Sequence, residues 1–126
     1  MEIVKSIIDT KVVKLQIGAE YSDETKTLTG IVELDIENQA RFVDLVNSVF
    51  DDGYVHVLVD MESVSYIDSS GLWALFEGHK KAAQKGGRLV LLNPTKDVRR
   101  VLDITKMSSK IQIFGTQEEA LAGFNR

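Results

Sequence analysis

Val55-His56-Val57-Leu58-Val59-Asp60-Met61-Glu62-Ser63-Val64-Ser65-Tyr66-Ile67-Asp68-Ser69-Ser70-Gly71-Leu72-Trp73 is the stretch on which the reading of the chain turns. Val55 to Asp60 is short and apolar nearly throughout, which suits a central strand covered on both faces. From Ser70 to about Gln84 the pattern becomes that of an amphipathic helix, with Leu72, Leu75, Phe76, His79 and Ala83 on one stripe. An acid, two hydroxyls and a glycine sit where that helix begins. Small polar residues are favoured there because the first helical N–H groups have no partner within the helix. The same geometry favours an anion, and a phosphate carried by a serine would be one.

Outward from this stretch the elements alternate. Ile3 to Ile8 and Val12 to Ile17 read as strands joined by a hairpin turn at Asp9-Thr10-Lys11. Val13, Leu15 and Ile17 alternate with Lys14 and Gln16, which predicts one wet face. Glu20 to Lys26 reads as a loop and Leu28 to Ile36 as a third strand. Phe42, Leu45, Val46, Val49 and Phe50 share one face of a helix over Asn38 to Phe50, closed by Asp51-Asp52-Gly53. Beyond Gly86-Gly87 comes a strand, Arg88 to Leu92. Asn93 and Pro94 then fit the N-cap and first position of a third helix, with Val98, Val101, Leu102 and Thr105 as its stripe. Ile111 to Phe114 is a short last strand. Thr116 and Glu119 have the spacing of a capping box for a final helix that turns Ala120, Leu121 and Phe124 inward. The order β-β-β-α-β-α-β-α-β-α predicts a single α/β domain over residues 1–126. It is a mixed β-sheet packed with about four α-helices and led by an antiparallel N-terminal β-hairpin, and the pattern leaves one helical layer or two open.

Composition narrows the function. The chain has 126 residues, 44% hydrophobic and 27% charged, as in an ordinary globular domain. No run of about 18 apolar residues suggests a membrane span. The start, Met1-Glu2-Ile3-Val4-Lys5, lacks the basic and apolar regions of a secretion signal, so the cytoplasm is expected. Zero cysteines exclude disulfides, thiol nucleophiles and cysteine-based zinc sites. His56 and His79 fall in a strand and on an apolar helix face, which favours structural roles over a metal site. Fifteen Lys and Arg against 19 Asp and Glu give a net charge of −4 with scattered bases, which disfavours a nucleic-acid partner. A serine nucleophile needs a base within hydrogen-bond reach, and neither histidine lies in a loop that would gather at Ser69 or Ser70. The nucleophile elbow Gly-x-Ser-x-Gly and the P-loop are absent. An enzyme is therefore not expected.

Val57 to Leu72, with Asp68-Ser69-Ser70-Gly71 near its end, resembles the signature of STAS domains, the anti-sigma factor antagonists and their relatives. Gly86 to Pro94, Val98 to Ile104 and Glu118-Glu119-Ala120-Leu121 are similar to the same family, so the likeness covers roughly residues 28–124. The resemblance implies that Ser69, directly after the aspartate, accepts phosphate from an anti-sigma factor that is also a serine kinase. The unphosphorylated form would bind that kinase and free a sigma factor, thereby regulating transcription. The phosphorylated form would let go, and a phosphatase would reset it. ATP and magnesium belong to the kinase, so no cofactor is implied for this chain. Asp68, Ser70 and Gly71 would lie at the partner surface. Asp35 is the nearest counterpart of an aspartate that receives the kinase, although Gly30-Ile31-Val32-Glu33-Leu34-Asp35 carries two residues more than the family's Gly-x-Leu-Asp. Trp73 stands where a small residue is common and falls beside the apolar stripe, near the recognition surface. The alternative is a scaffold, or a small-ligand or lipid-handling STAS protein without a phosphorylation cycle.

Overall fold

In the computed structural model, which describes residues 1–125, the leading hairpin forms as β1 (Glu2–Ile8) and β2 (Val12–Gly18), antiparallel from Glu2 opposite Gly18 to Ile8 opposite Val12. Asp9 and Thr10 both take positive φ at its turn, the hand that matches the twist of paired strands. β2 then pairs in parallel with β6 (His56–Asp60), β6 with β8 (Arg88–Leu92), and β8 with β9 (Ile113–Phe114). The five-stranded sheet runs β1-β2-β6-β8-β9 and is mixed as expected.

Register explains the burial of β6. Val13, Val57 and Leu89 lie in one row across three strands, and Leu15, Val59 and Leu91 in another. These rows face a core filled by α1 (Gln39–Asp51), α2 (Ser69–Gln84) and α3 (Lys96–Ile104). Leu58 and Val90 point the other way, to a smaller core closed by Ala120 and Phe124 of α4 (Gln117–Phe124). Helices thus cover both faces, which settles the layer question. It also narrows the wet face expected on β2, where the Lys14 ammonium reaches Gln117 Oε1 at 2.9 Å and lies 4.0 Å from Asp60. Among the described residues no helix is long and apolar enough to cross a membrane.

The stretch from Leu28 to Ile36 is not one strand. β3 (Glu20–Ser22), inside the expected loop, pairs with β4 (Thr27–Thr29), while β5 (Val32–Leu34) pairs in parallel with β7 (Val64–Ile67). Gly30 divides them at φ +86°, a backbone conformation that side chains resist. The β5–β7 register shifts between Val32 and Glu33, where Ser65 of β7 is left without a partner. β7 was invisible to periodicity: it is four residues long, with Val64 and Ile67 buried and Ser65 and Tyr66 exposed.

Two helices differ in detail from expectation. α3 is capped by Thr95, whose Oγ1 accepts from Val98 N at 3.2 Å, and not by Asn93. The Asn93 N–H instead donates to Phe114 O at 2.8 Å, and its φ of +51° keeps it outside the helix. α2 buries Gly71, Ala74, Leu75, Gly78 and Ala82, a stripe rotated from the expected one. Leu72, Phe76 and His79 are only partly buried, and Ala83 is exposed. The reason is closeness of approach: a Cβ on Gly78 would stand 2.8 Å from Leu89 Cδ1. Small residues let the helix axis come down onto its neighbours, and the larger side chains flank the seam.

Gly71 shows the tightest version of this packing. An added Cβ would collide with the Leu34 carbonyl oxygen, and would stand 2.7 Å from Ile67 Cγ1. A helical Gly→Ala change ordinarily gains up to about 1 kcal/mol, but overpacking against backbone costs about 1–3 kcal/mol. Gly71→Ala should therefore lose at least about 1 kcal/mol in urea unfolding. Gly115→Ala, with nothing within 4 Å, should stay within about 0.5 kcal/mol of the parent. Equal stability of Gly71→Ala and the parent would sink the close-approach argument.

Candidate functional site

The parallel pair β5–β7 brings two aspartates to the same edge. Leu34 and Ile67 are register partners, and Asp35 and Asp68 follow them directly. Each acid turns back to hold the segment it opens. Asp68 is the N-cap of α2: its Oδ1 accepts from Gly71 N at 2.9 Å, and its main-chain oxygen accepts from Leu72 N at 3.0 Å. Its second oxygen, Oδ2, accepts from Ile36 N at 3.1 Å, and its own N–H donates to Leu34 O at 3.3 Å. Asp35 holds the turn into α1, with Oδ1 accepting from Glu37 N at 3.0 Å and Asn38 N at 3.3 Å. The Asn38 side chain completes that turn by accepting from Asp35 N and donating to Glu33 O.

These bonds leave Ser69 at the first position of α2, on the surface, with Ser70 beside it and half-buried. Gly71 is buried against Leu34, so its part is to set this geometry and not to face outward. Trp73 lies one helical turn beyond Ser69 and is 52% exposed, on the flank of the buried stripe. Two apolar residues that the sequence reading did not single out join it at this end: Ile36 is 72% exposed and Tyr66 is 52% exposed. Ile36 is tied to the site by a bond between residues 32 positions apart, and no local pattern announces such a contact.

The local charge is one-sided. Residues 28–40 and 60–73, which surround Ser69 along the chain, contain no Lys or Arg. They contain Glu33, Asp35, Glu37, Asp60, Glu62 and Asp68. A phosphate on Ser69 would find the partial positive charge of the α2 N-terminus, but no intrachain cation in these segments to clamp it. The two histidines are remote from Ser69 in role. The His56 ring packs 5.2 Å from that of Phe124, and burial, with Arg88 and Lys11 adding to it, holds its pKa below the ordinary value.

The Asp68 carboxylate thus serves two segments at once. Asp68→Ala should cost about 1–2 kcal/mol as a lost cap, and the backbone amide signals of both Gly71 and Ile36 should move in ¹H–¹⁵N spectra. Asp68→Asn keeps an acceptor oxygen and should lose less. An unmoved Ile36 signal in Asp68→Ala would count against the bridging bond.

Comparison with known proteins agrees with this architecture. The family model described as the STAS domain matches residues 16–120. A protein of Thermotoga neapolitana, placed by its name with the anti-sigma factor antagonists, is 36% identical over 90 residues, spanning 71% of this chain and 80% of its own. A Thermotoga maritima crystal structure, whose title also places it with the anti-sigma factor antagonists, superposes with a TM-score of 0.80 at 27% identity, covering 98% of this chain and 95% of that one. The Bacillus cell fate determinant SpoIIAA in its phosphorylated form shares the fold at a TM-score of 0.67 and 19% identity, over 96% of this chain and 97% of that one. The chain belongs to the STAS domain family, and within it resembles the anti-sigma factor antagonists.

Proposed function

We propose that this protein is a phosphorylation-switched binding module whose modified residue is Ser69 and whose partner is an anti-sigma factor with serine kinase activity. The observation that carries the reading is the exposed hydroxyl at the first position of α2, on a rigidly held turn. Asp68 and Asp35 hold that turn, and exposed Ile36, Tyr66 and Trp73 offer apolar surface around it. Asp68, Ser70 and Trp73 lie within the partner footprint in this reading, with Asp35 at its edge and Gly71 beneath it. ATP and magnesium come with the kinase, a phosphatase restores the serine, and the chain itself catalyses nothing.

The sign of the switch follows from charge. Phosphorylation adds about −1.5 to −2 charges beside segments, residues 28–40 and 60–73, that hold six acids and no Lys or Arg. With no Lys or Arg in those segments to pair with it, the charge acts outward, against the partner. The helix N-terminus favours the phosphate by about 0.3–1 kcal/mol, so the fold survives modification. A loss of about 3 kcal/mol at the interface weakens binding more than a hundredfold. The complex breaks while the domain stays folded.

Incubation with the serine kinase anti-sigma factor of the same organism and ATP should place one phosphate on Ser69, mapped by mass spectrometry. Modification at Ser70 alone, or tight binding with no modification, would overturn the assignment. Ser69→Asp should keep the parent's unfolding midpoint within about 0.5 kcal/mol yet bind the kinase at least about tenfold more weakly by calorimetry. Equal affinity of this variant and the parent would remove the electrostatic argument.

A further inference from the structure

Ile36 sits in the turn between β5 and α1, and its side chain has no seat in the protein. It is 72% exposed and belongs to neither core. Its backbone, by contrast, is fully held, because each N–H from Asp35 to Gln39 has an acceptor. Asp35 N donates to Asn38 Oδ1 at 2.9 Å, and Ile36 N to Asp68 Oδ2 at 3.1 Å. Glu37 N and Asn38 N both donate to Asp35 Oδ1, and Gln39 N donates to Asp35 O at 2.9 Å. The Asn38 side chain closes the turn by donating to Glu33 O at 2.7 Å.

An exposed turn usually carries small or polar residues. Here it carries a large aliphatic side chain, β-branched and therefore stiff at χ1, on an ordered backbone. Association normally pays to order the loops that enter an interface. For this turn the ordering is complete in the folded chain, so burial of the Ile36 side chain by a partner counts nearly in full. The place of the turn says which partner that is. Asp68 holds the Ile36 N–H with one carboxylate oxygen and directly precedes Ser69. A kinase has to close around the hydroxyl that it modifies, and a surface closed over Ser69 meets Ile36. Ile7 offers a contrast. It is 56% exposed, but register sets it beside Val13 and Val57 near the start of β6, whereas the chain leaves the other end of β6 for β7 and α2.

We propose that Ile36 is the residue by which the serine kinase selects this chain. Its side chain enters an aliphatic pocket of the kinase beside the Ser69 hydroxyl, and Asp68 is the positioning residue that holds it there. The inference rests on the reading of Ser69 given above and adds to it the determinant of specificity.

Calorimetry and steady-state phosphorylation with the kinase of the same organism test the inference on the full chain. Ile36→Ala should keep the parent's urea midpoint, bind the kinase at least about tenfold more weakly, and raise KM for Ser69 phosphorylation with kcat within about twofold. Ile36→Val should recover much of the affinity, and Ile7→Ala should lose none. Asp68→Ala should weaken binding less in an Ile36→Ala background than in the parent, since it acts through Ile36. Equal binding by Ile36→Ala and the parent, with Ser69 still modified, would overturn this inference and leave the Ser69 reading standing. A parent that neither binds the kinase nor takes phosphate would overturn both. A fall in kcat alone, an equal loss in Ile7→Ala, or a dimer of the parent that Ile36→Ala abolishes would also refute the role given to Ile36.

Discussion

The contact between the first turn of α2 and the end of β5 sets the geometry of the end of the molecule that carries Ser69. The Leu34 carbonyl accepts the Asp68 N–H and lies against Gly71, where a Cβ would not fit. The Asp68 side chain then spans from α2 to the Ile36 N–H. A strand end, a helix start and the turn into α1 are thereby locked together through one carbonyl and one carboxylate. Ser69 inherits its exposure from this lock, because the residues on either side of it are committed inward. The glycine in Asp-Ser-Ser-Gly is thus a packing requirement, and the aspartate is a structural cap whatever else it meets.

The sheet supplies the rigidity behind that turn. Rows of Val and Leu run across β2, β6 and β8 with almost no exposure, and helices close both faces. α2 sits low on its neighbours because Gly71, Ala74, Gly78 and Ala82 form its buried seam. Its larger residues are pushed to the flanks, so Trp73 is at the surface near Ser69.

Where a residue's partners lie within a few positions, the sequence reading held. The hairpin, the α1 face of Phe42, Val46, Val49 and Phe50, the covered strand β6, and the Thr116 cap of α4 were all legible from local chemistry. The reading failed where distant segments compete for the same groups. Asn93 and Pro94 look like a helix start, but the Asn93 N–H is held by Phe114. Leu28 to Ile36 looks like one strand, but its two halves find different partners. The α2 stripe was placed by hydrophobicity, whereas the tertiary contact selected for smallness.

The sequence by itself determined the α/β class, the element order and the polar turn at Asp68 to Gly71, because periodicity and capping act over one or two turns of chain. Resemblance to STAS domains singled out Ser69, which capping chemistry alone could not separate from Ser70. Tertiary structure decided that Asp68 bridges to Ile36, that Gly71 is buried, and that Ile36, Tyr66 and Trp73 stand exposed at the same end. These facts depend on strand register and on how closely a helix can approach a neighbouring strand, and both are set by contacts between segments far apart in the chain.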